Sequence, residues 1–308
     1  MANASLELLT ALEKSASIPK ERQSPLRRAQ EDLLDYVFKA AKGMYQTRID
    51  PEYPGWIDLR TRLEKILRFR TSEDGEPQVS PPYPGKSTRE KPSHRHGSAQ
   101  YAGLHTEDLV IFCDYRRFEG WDGYDCGGNV KPNYVCDTST NKAQKIDHGW
   151  MGCTTGKINA WLLPSEDLPH PFTLQLCPAL LNKLHENVYS QLEDMRTGLQ
   201  ATVGNKALQE SARLVSRGAV IDFACLGDCV VLHEFSHALP PALRTFDVGG
   251  LNAYRWDNVK KQSPTTCLIN ADNYAYFGLG SQLIMPRVQG KAPLGVKEDG
   301  SFYEIRPN

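Results

Sequence analysis

With 308 residues, the chain is long enough for one large domain or two small ones, with a real hydrophobic core. A composition of 40% hydrophobic and 24% charged residues, a net charge of −1 and an isoelectric point of about 6.7 leave no basic field to recruit nucleic acid or an anionic membrane. No apolar run approaches the roughly 20 residues that span a bilayer, so a soluble globular protein with no nucleic-acid or membrane partner is expected.

The first residues, MANASLELLTALEKSASIPKERQ, have no basic n-region and no continuous apolar stretch, so no secretory leader is read in them. Apolar residues recur at three- and four-residue spacing over 4–15 and 25–43, predicting two helices, with Pro25 suited to a first turn and Gly43 to a C-terminal stop. The same period over 57–69 sets Leu59, Leu63, Ile66 and Leu67 on one stripe and predicts a third helix. Residues 71–100 are rich in proline and nearly free of aliphatic side chains, which predicts a flexible surface loop. Residues 108–113 are short, apolar and β-branched, as in a strand, and irregular Gly/Asp/Asn/Tyr-rich chain follows to about residue 155. Two more strands are predicted over 157–163 and 172–177, then a helical stretch from Pro178 to about residue 200 and another helix over 206–217. After the segment described next, 267–284 reads as a last helix and 286–308 as a peripheral tail.

The stretch from Val230 to Tyr254, VVLHEFSHALPPALRTFDVGGLNAY, carries the chemistry. His233-Glu234-Phe235-Ser236-His237 is an H-E-x-x-H sequence in an apolar, helix-compatible context. Residues four apart lie one turn above each other on one helix face, so both imidazoles can reach one ion while Glu234 lies beside it without ligating it. That arrangement suits a zinc-bound water and a carboxylate base. A third ligand must come from elsewhere, and no histidine follows His237. Glu298 and Glu304, the only glutamates after the motif, lie in a tail without helical character. Asp247, Asp257, Asp272, Asp299 and, as an outsider, Cys267 remain. Pro240 and Pro241 end the helix and Gly249-Gly250 turns the chain again, so Asp247, between those breaks, is the leading candidate.

An HEFSH helix, a loop with Thr245-x-Asp247 and the NADNYAYF segment of 270–277 together resemble the aspzincins, the deuterolysin and peptidyl-Lys metalloendopeptidase group. The resemblance implies an α+β, zincin-like metallopeptidase fold, mostly helical with a small sheet beside the HExxH helix. It implies one Zn2+ per chain held by His233, His237 and Asp247, with Glu234 as general base and a protein or peptide as substrate. Residues 1–70 would be N-terminal helices belonging to the catalytic fold, and 101–285 the zincin-like catalytic core. Asp272, in the N-A-D-x-Y that includes Asn270 and Tyr274, is expected to hydrogen-bond a ligand histidine and is the reserve candidate for third ligand. Two positions depart from the family pattern: Arg244 stands where a glycine precedes the threonine, and Gly250 stands where a tyrosine would stabilise the oxyanion. Either the loop carries a short insertion and Tyr254 takes that role, or the donor has been lost. The reading is thus a monomeric zinc endopeptidase, against a catalytically inactive aspzincin-like secreted binding or effector protein.

The 8 cysteines allow 105 complete pairings, among which the sequence does not choose. Their even number and the mostly secreted family point to disulfides and an extracellular location; reduced, buried thiols in a cytoplasmic protein are the alternative. With no C-x-x-C pair present, a structural zinc ribbon is not expected.

Overall fold

A computed structural model describes residues 1–15, 18, 22–39, 54–67, 109–112, 118, 122–137, 142–145, 153, 159–163, 172–186, 192–239, 243–250, 254–285 and 292–306. The architecture mixes helices with small sheets. It forms two compact units, one of Met1–Arg68 with Glu186–Asn308 and one of Phe69–His185. The Pro-rich segment 71–100 lies outside the described residues.

The first unit is mostly helical. Helix α1 (Ala2–Lys14) buries Leu8, Leu9 and Leu12 completely, each burial worth about 2 kcal/mol. Helix α2 (Pro25–Phe38) starts where the Ser24 side chain accepts the Arg27 amide at 3.2 Å and Pro25 fills the first turn. It stops at Phe38 because Lys39 adopts a left-handed conformation, φ 47°, before the expected Gly43 is reached. Helix α3 (Pro54–Leu67) packs on α1 and turns Trp56, Leu59, Leu63 and Ile66 inward, as its apolar stripe predicts; Leu67 is exposed instead.

After the second unit the chain returns with α5 (Leu192–Thr202), α6 (Lys206–Ser216), α7 (Val220–Ala224), α8 (Gly227–His237), α9 (Trp256–Val259), α10 (Pro264–Cys267) and α11 (Ala271–Ile284). The helix expected over 267–284 begins only at Ala271: Cys267 closes the short α10, and Asn270, between the two, pairs with Phe246 in an isolated parallel bridge. Apart from Gln282, every residue of α11 is buried, so α11 is the central rod against which α1, α2 and α8 pack. Gly278 permits the α8 contact, since a Cβ there would lie 2.3 Å from Leu232 Cδ2. The C-terminal end of α11 is held by the fully buried Arg196, whose guanidinium donates to the Leu283 and Gln282 carbonyls at 3.0 and 2.8 Å. The tail expected to be peripheral instead forms a hairpin of β7 (Leu294–Val296) and β8 (Phe302–Glu304) that buries Leu294, Val296 and Phe302.

In the second unit, β1 (Leu109–Phe112) and β5 (Ala160–Leu163) flank β6 (Phe172–Leu176), parallel and antiparallel to it respectively. Part of the region expected to be irregular is an antiparallel meander of β2 (Asp122–Tyr124), β3 (Val130–Asp137) and β4 (Lys142–Lys145). It lacks an aliphatic pattern because the disulfide Cys126–Cys136 and a turn do the fastening: Asp125 Oδ1 accepts the Gly127 and Asn129 amides, both at 2.9 Å. A second disulfide joins Cys153 to Cys177, just before α4 (Pro178–Glu186). The helical stretch expected from Pro178 to residue 200 is therefore α4 and α5, and 187–191 lie outside the described residues.

Candidate metal centre

Helix α8 carries the H-E-x-x-H sequence in its last two turns and ends at His237, where the Ala238 amide closes onto the Glu234 and Phe235 carbonyls. Pro240 and Pro241 lie outside the described residues. The third disulfide, Cys225–Cys229, fastens the turn between α7 and α8. The four-residue spacing sets the two imidazoles edge to face, 87° apart, with their Nε2 atoms 3.1 Å from each other.

The chain after α8 comes back over it and is tied at several points. The Thr245 amide donates to the Ser236 carbonyl at 3.3 Å, and the hydroxyls of Ser236 and Thr245 lie 2.6 Å apart. Phe246 exchanges backbone bonds with Ile269 and Ala271 at 2.7 and 3.1 Å, and the Val248 amide donates to Asn270 Oδ1 at 3.1 Å. From α3, the buried Arg62 guanidinium grips the Leu243 carbonyl. Held between α8 and the start of α11, the loop delivers Asp247 Oδ1 to within 3.2 Å of His233 Nε2 and 3.4 Å of His237 Nε2.

The remaining nitrogens of the rings fix the tautomers. His237 Nδ1 lies 3.0 Å from the Thr245 carbonyl, which can only accept, so that nitrogen donates and Nε2 presents a lone pair. His233 Nδ1 donates to Asp272 Oδ1 at 2.7 Å, and Asp272 Oδ2 accepts the Arg255 amide at 3.0 Å. Asp247 Oδ1 is buried and faces only the two Nε2 atoms, which carry no proton to donate when the rings are neutral, while its Oδ2 accepts the Tyr254 hydroxyl at 2.8 Å. Three electron-rich atoms thus face one another with no proton between them in the neutral-ring state, an arrangement that repels itself unless a cation sits among them. Ligands about 2.0 Å from a tetrahedral ion lie about 3.3 Å from one another, which matches the edges of this triangle. His233, His237 and Asp247 could therefore hold a metal ion.

Electrostatics divide the acids. Burial pushes the Glu234 carboxyl above the ordinary glutamate range, only partly offset by His233 and His237. Burial acts on Asp247 in the same direction, but His233 and His237 outweigh it and hold that carboxyl far below the usual range. Burial alone would lower the His233 pKa, yet Asp247 and Asp272 raise it well above 6.5. Burial, reinforced by Asp247, pushes the Tyr254 phenol upward, so it stays protonated and donating. Its ring also stacks on His233 with centroids 5.7 Å apart.

The structure brings His233, Glu234, His237, Asp247, Tyr254 and Asp272 into one group, with Asp272 on the far nitrogen of His233 rather than in the donor triangle. The other candidates stand apart: Asp257 is 3.5 Å from Lys260, Asp299 pairs with Arg213, and the buried Cys267 thiol contacts the Phe38 and Pro264 carbonyls. Sequence reasoning missed Ser236, Arg62 and Arg255. Ser236 lay inside the motif itself; nothing local marked the other two. Asn270, noted from the sequence only as part of N-A-D-x-Y, is the side chain that fastens the Asp247 loop.

No helix among the described residues is long and apolar enough to cross a membrane. Comparison with protein-family models, characterised proteins and solved structures returns no match.

Proposed function

We propose that this chain is a zinc-dependent endopeptidase of the aspzincin kind, hydrolysing peptide bonds in protein or peptide substrates. The observation that supports this most is the convergence of three lone-pair donors, His233 Nε2, His237 Nε2 and Asp247 Oδ1, beside the buried Glu234. Two imidazoles and one carboxylate form a three-donor set of the kind that would suit a catalytic zinc ion. A zinc ion held there would supply Lewis acidity toward the scissile carbonyl and would lower the pKa of water toward neutrality. Glu234 takes the proton of the attacking water on its carboxylate and passes it to the leaving amine. Its raised pKa makes it a stronger proton acceptor than an ordinary glutamate. Asp272 fixes the His233 ring and tautomer. Tyr254 orients Asp247, and an oxyanion role requires its hydroxyl to exchange Asp247 Oδ2 for the substrate oxygen. Three disulfides support an extracellular location.

That engagement of Tyr254 favours a second reading, a metal-holding binding or effector protein without catalysis. A digest of a defined peptide mixture, with cut sites mapped by mass, separates the two. Cleavage that a chelator abolishes and zinc restores is the expected result. Bound zinc with no cleavage supports the second reading, and protein that stays metal-free after zinc-replete dialysis overturns both.

A further inference from the structure

We infer that Arg255 is a positioning residue for the metal group, acting through the conformation of its backbone. The inference rests on the metal-binding reading of His233, His237 and Asp247, and goes beyond it by assigning a residue outside the donor set and its hydrogen-bonded carboxylate. Arg255 has φ 76° and ψ 155°, a region that is almost exclusive to glycine. A β-carbon is disfavoured there, so something must hold the residue in place.

Three consecutive residues show what does. Tyr254 is anchored on one side, stacked on His233 and donating its hydroxyl to Asp247 Oδ2 at 2.8 Å. Trp256 is anchored on the other: it is fully buried, its amide donates to Asp222 Oδ1 at 2.9 Å and its indole to the Glu298 carbonyl at 2.9 Å. Between them the Arg255 amide donates to Asp272 Oδ2 at 3.0 Å, and Asp272 Oδ1 in turn holds His233 Nδ1. The unusual backbone is what lets adjacent amides serve two different carboxylates while the preceding side chain reaches a third. The guanidinium closes the arrangement by donating to the Arg217 carbonyl at 2.6 Å, at the C-terminal end of α6. Arg255 therefore has two separable parts: a backbone conformation that aims an N–H at Asp272, and a side chain that holds this conformation against its intrinsic disfavour.

The parts predict opposite outcomes for two substitutions. Arg255→Ala removes one of three anchors and keeps the β-carbon, so the strained backbone is held by Tyr254 and Trp256 alone, the amide bond to Asp272 weakens and His233 is held less firmly. Arg255→Gly removes the anchor too, but glycine adopts this conformation without penalty, so the amide stays. Binding of Co2+ to the full-length metal-stripped protein, followed by its visible absorption band at a temperature where all variants are folded, reads this directly. Arg255→Ala is expected to weaken binding by up to about 10-fold, the low end of the range for groups that bond ligand histidines directly because this amide acts through Asp272, and to alter the band. Arg255→Gly is expected within about threefold of the parent and with the parental band. A merely structural Arg255 would shift melting temperature and leave cobalt affinity alike in all three proteins. That result overturns the inference, as does equal loss of affinity in both variants. Failure of the parent itself to bind Co2+ or Zn2+ sinks the metal reading and the inference with it, whereas a parent that binds metal and cleaves nothing sinks the peptidase reading alone.

Discussion

Glu234 and Asp247 share one small site, and their surroundings push them in opposite directions. Burial dominates at Glu234 and raises its pKa, while the two imidazoles dominate at Asp247 and keep it ionised. Two carboxylates whose titrations are driven apart suit two tasks, one accepting and returning a proton, the other staying charged as a ligand. Glu234→Gln keeps the shape, leaves the donor triangle intact and removes only the proton acceptor. Zinc stoichiometry by elemental analysis is expected to stay at the parental value, while kcat/KM falls by about 10²- to 10⁴-fold. Parental turnover from that variant would remove Glu234 from the mechanism. Residues of this kind were legible because they rest on side-chain type and short spacing: His233 and His237 through the helical repeat, Asp247 through its place between the Pro240-Pro241 and Gly249-Gly250 breaks just after the motif. Arg62 and Arg255 were not legible. Arg62 reaches a backbone carbonyl at Leu243 that lies far along the chain, and Arg255 contributes an amide that every residue but proline possesses.

At the scale of elements, α8 is positioned chiefly by α11, and the closeness of that pair brings Asp272 to His233. Gly278 sits at the contact, where an added Cβ would meet the buried Leu232 Cδ2 at 2.3 Å and Met1 Cβ at 3.0 Å. Gly278→Ala sets a helix-propensity gain of about 1 kcal/mol against an overpacking cost of about 1–3 kcal/mol. Leu232 has little room to move, so net destabilisation of about 1 kcal/mol in urea unfolding is expected. Adding Leu232→Ala should cancel the Gly278→Ala penalty in a double-mutant cycle. Strictly additive effects would place the α8–α11 contact elsewhere. The helices α1, α2 and α3 were readable because each turns one apolar stripe inward and so repeats every three or four residues; α6 shows the same period in sequence but buries only Ala212 and leaves Leu208, Leu214 and Val215 exposed. The meander β2–β4 was not, since a disulfide and an Asp125 turn replace the alternation of apolar residues that marks a half-buried strand. Nor was the break at Asn270, where the Asn270 side chain and the backbone groups of Ile269 and Ala271 on either side serve the Asp247 loop.

For the molecule as a whole, the metal group is a point where distant parts of one unit are drawn together. Helix α3 holds the ligand loop through Arg62, α8 supplies two donors, and α11 supports both. An ion that binds only the folded state adds its binding free energy to stability. In the metal-free protein a proton occupies His233 instead: burial opposes it, but Asp247 and Asp272 outweigh burial and lift the His233 pKa well above 6.5. A raised histidine pKa contributes stability that is fully present below the unfolded value, about 6.5, and is lost as pH rises through the folded value. A divalent ion requires that ring deprotonated, so proton and ion compete, and apparent metal affinity changes by about tenfold per pH unit while the proton is being displaced. The rise in melting temperature given by a fixed free zinc concentration should therefore be small near pH 6 and grow steadily toward about pH 8. Over the same interval the chelated protein should lose stability, the opposite sign. Differential scanning calorimetry of both forms across that range checks the pair of slopes. A zinc increment that stays flat or shrinks as pH rises would mean that His233 is not the group the ion displaces its proton from.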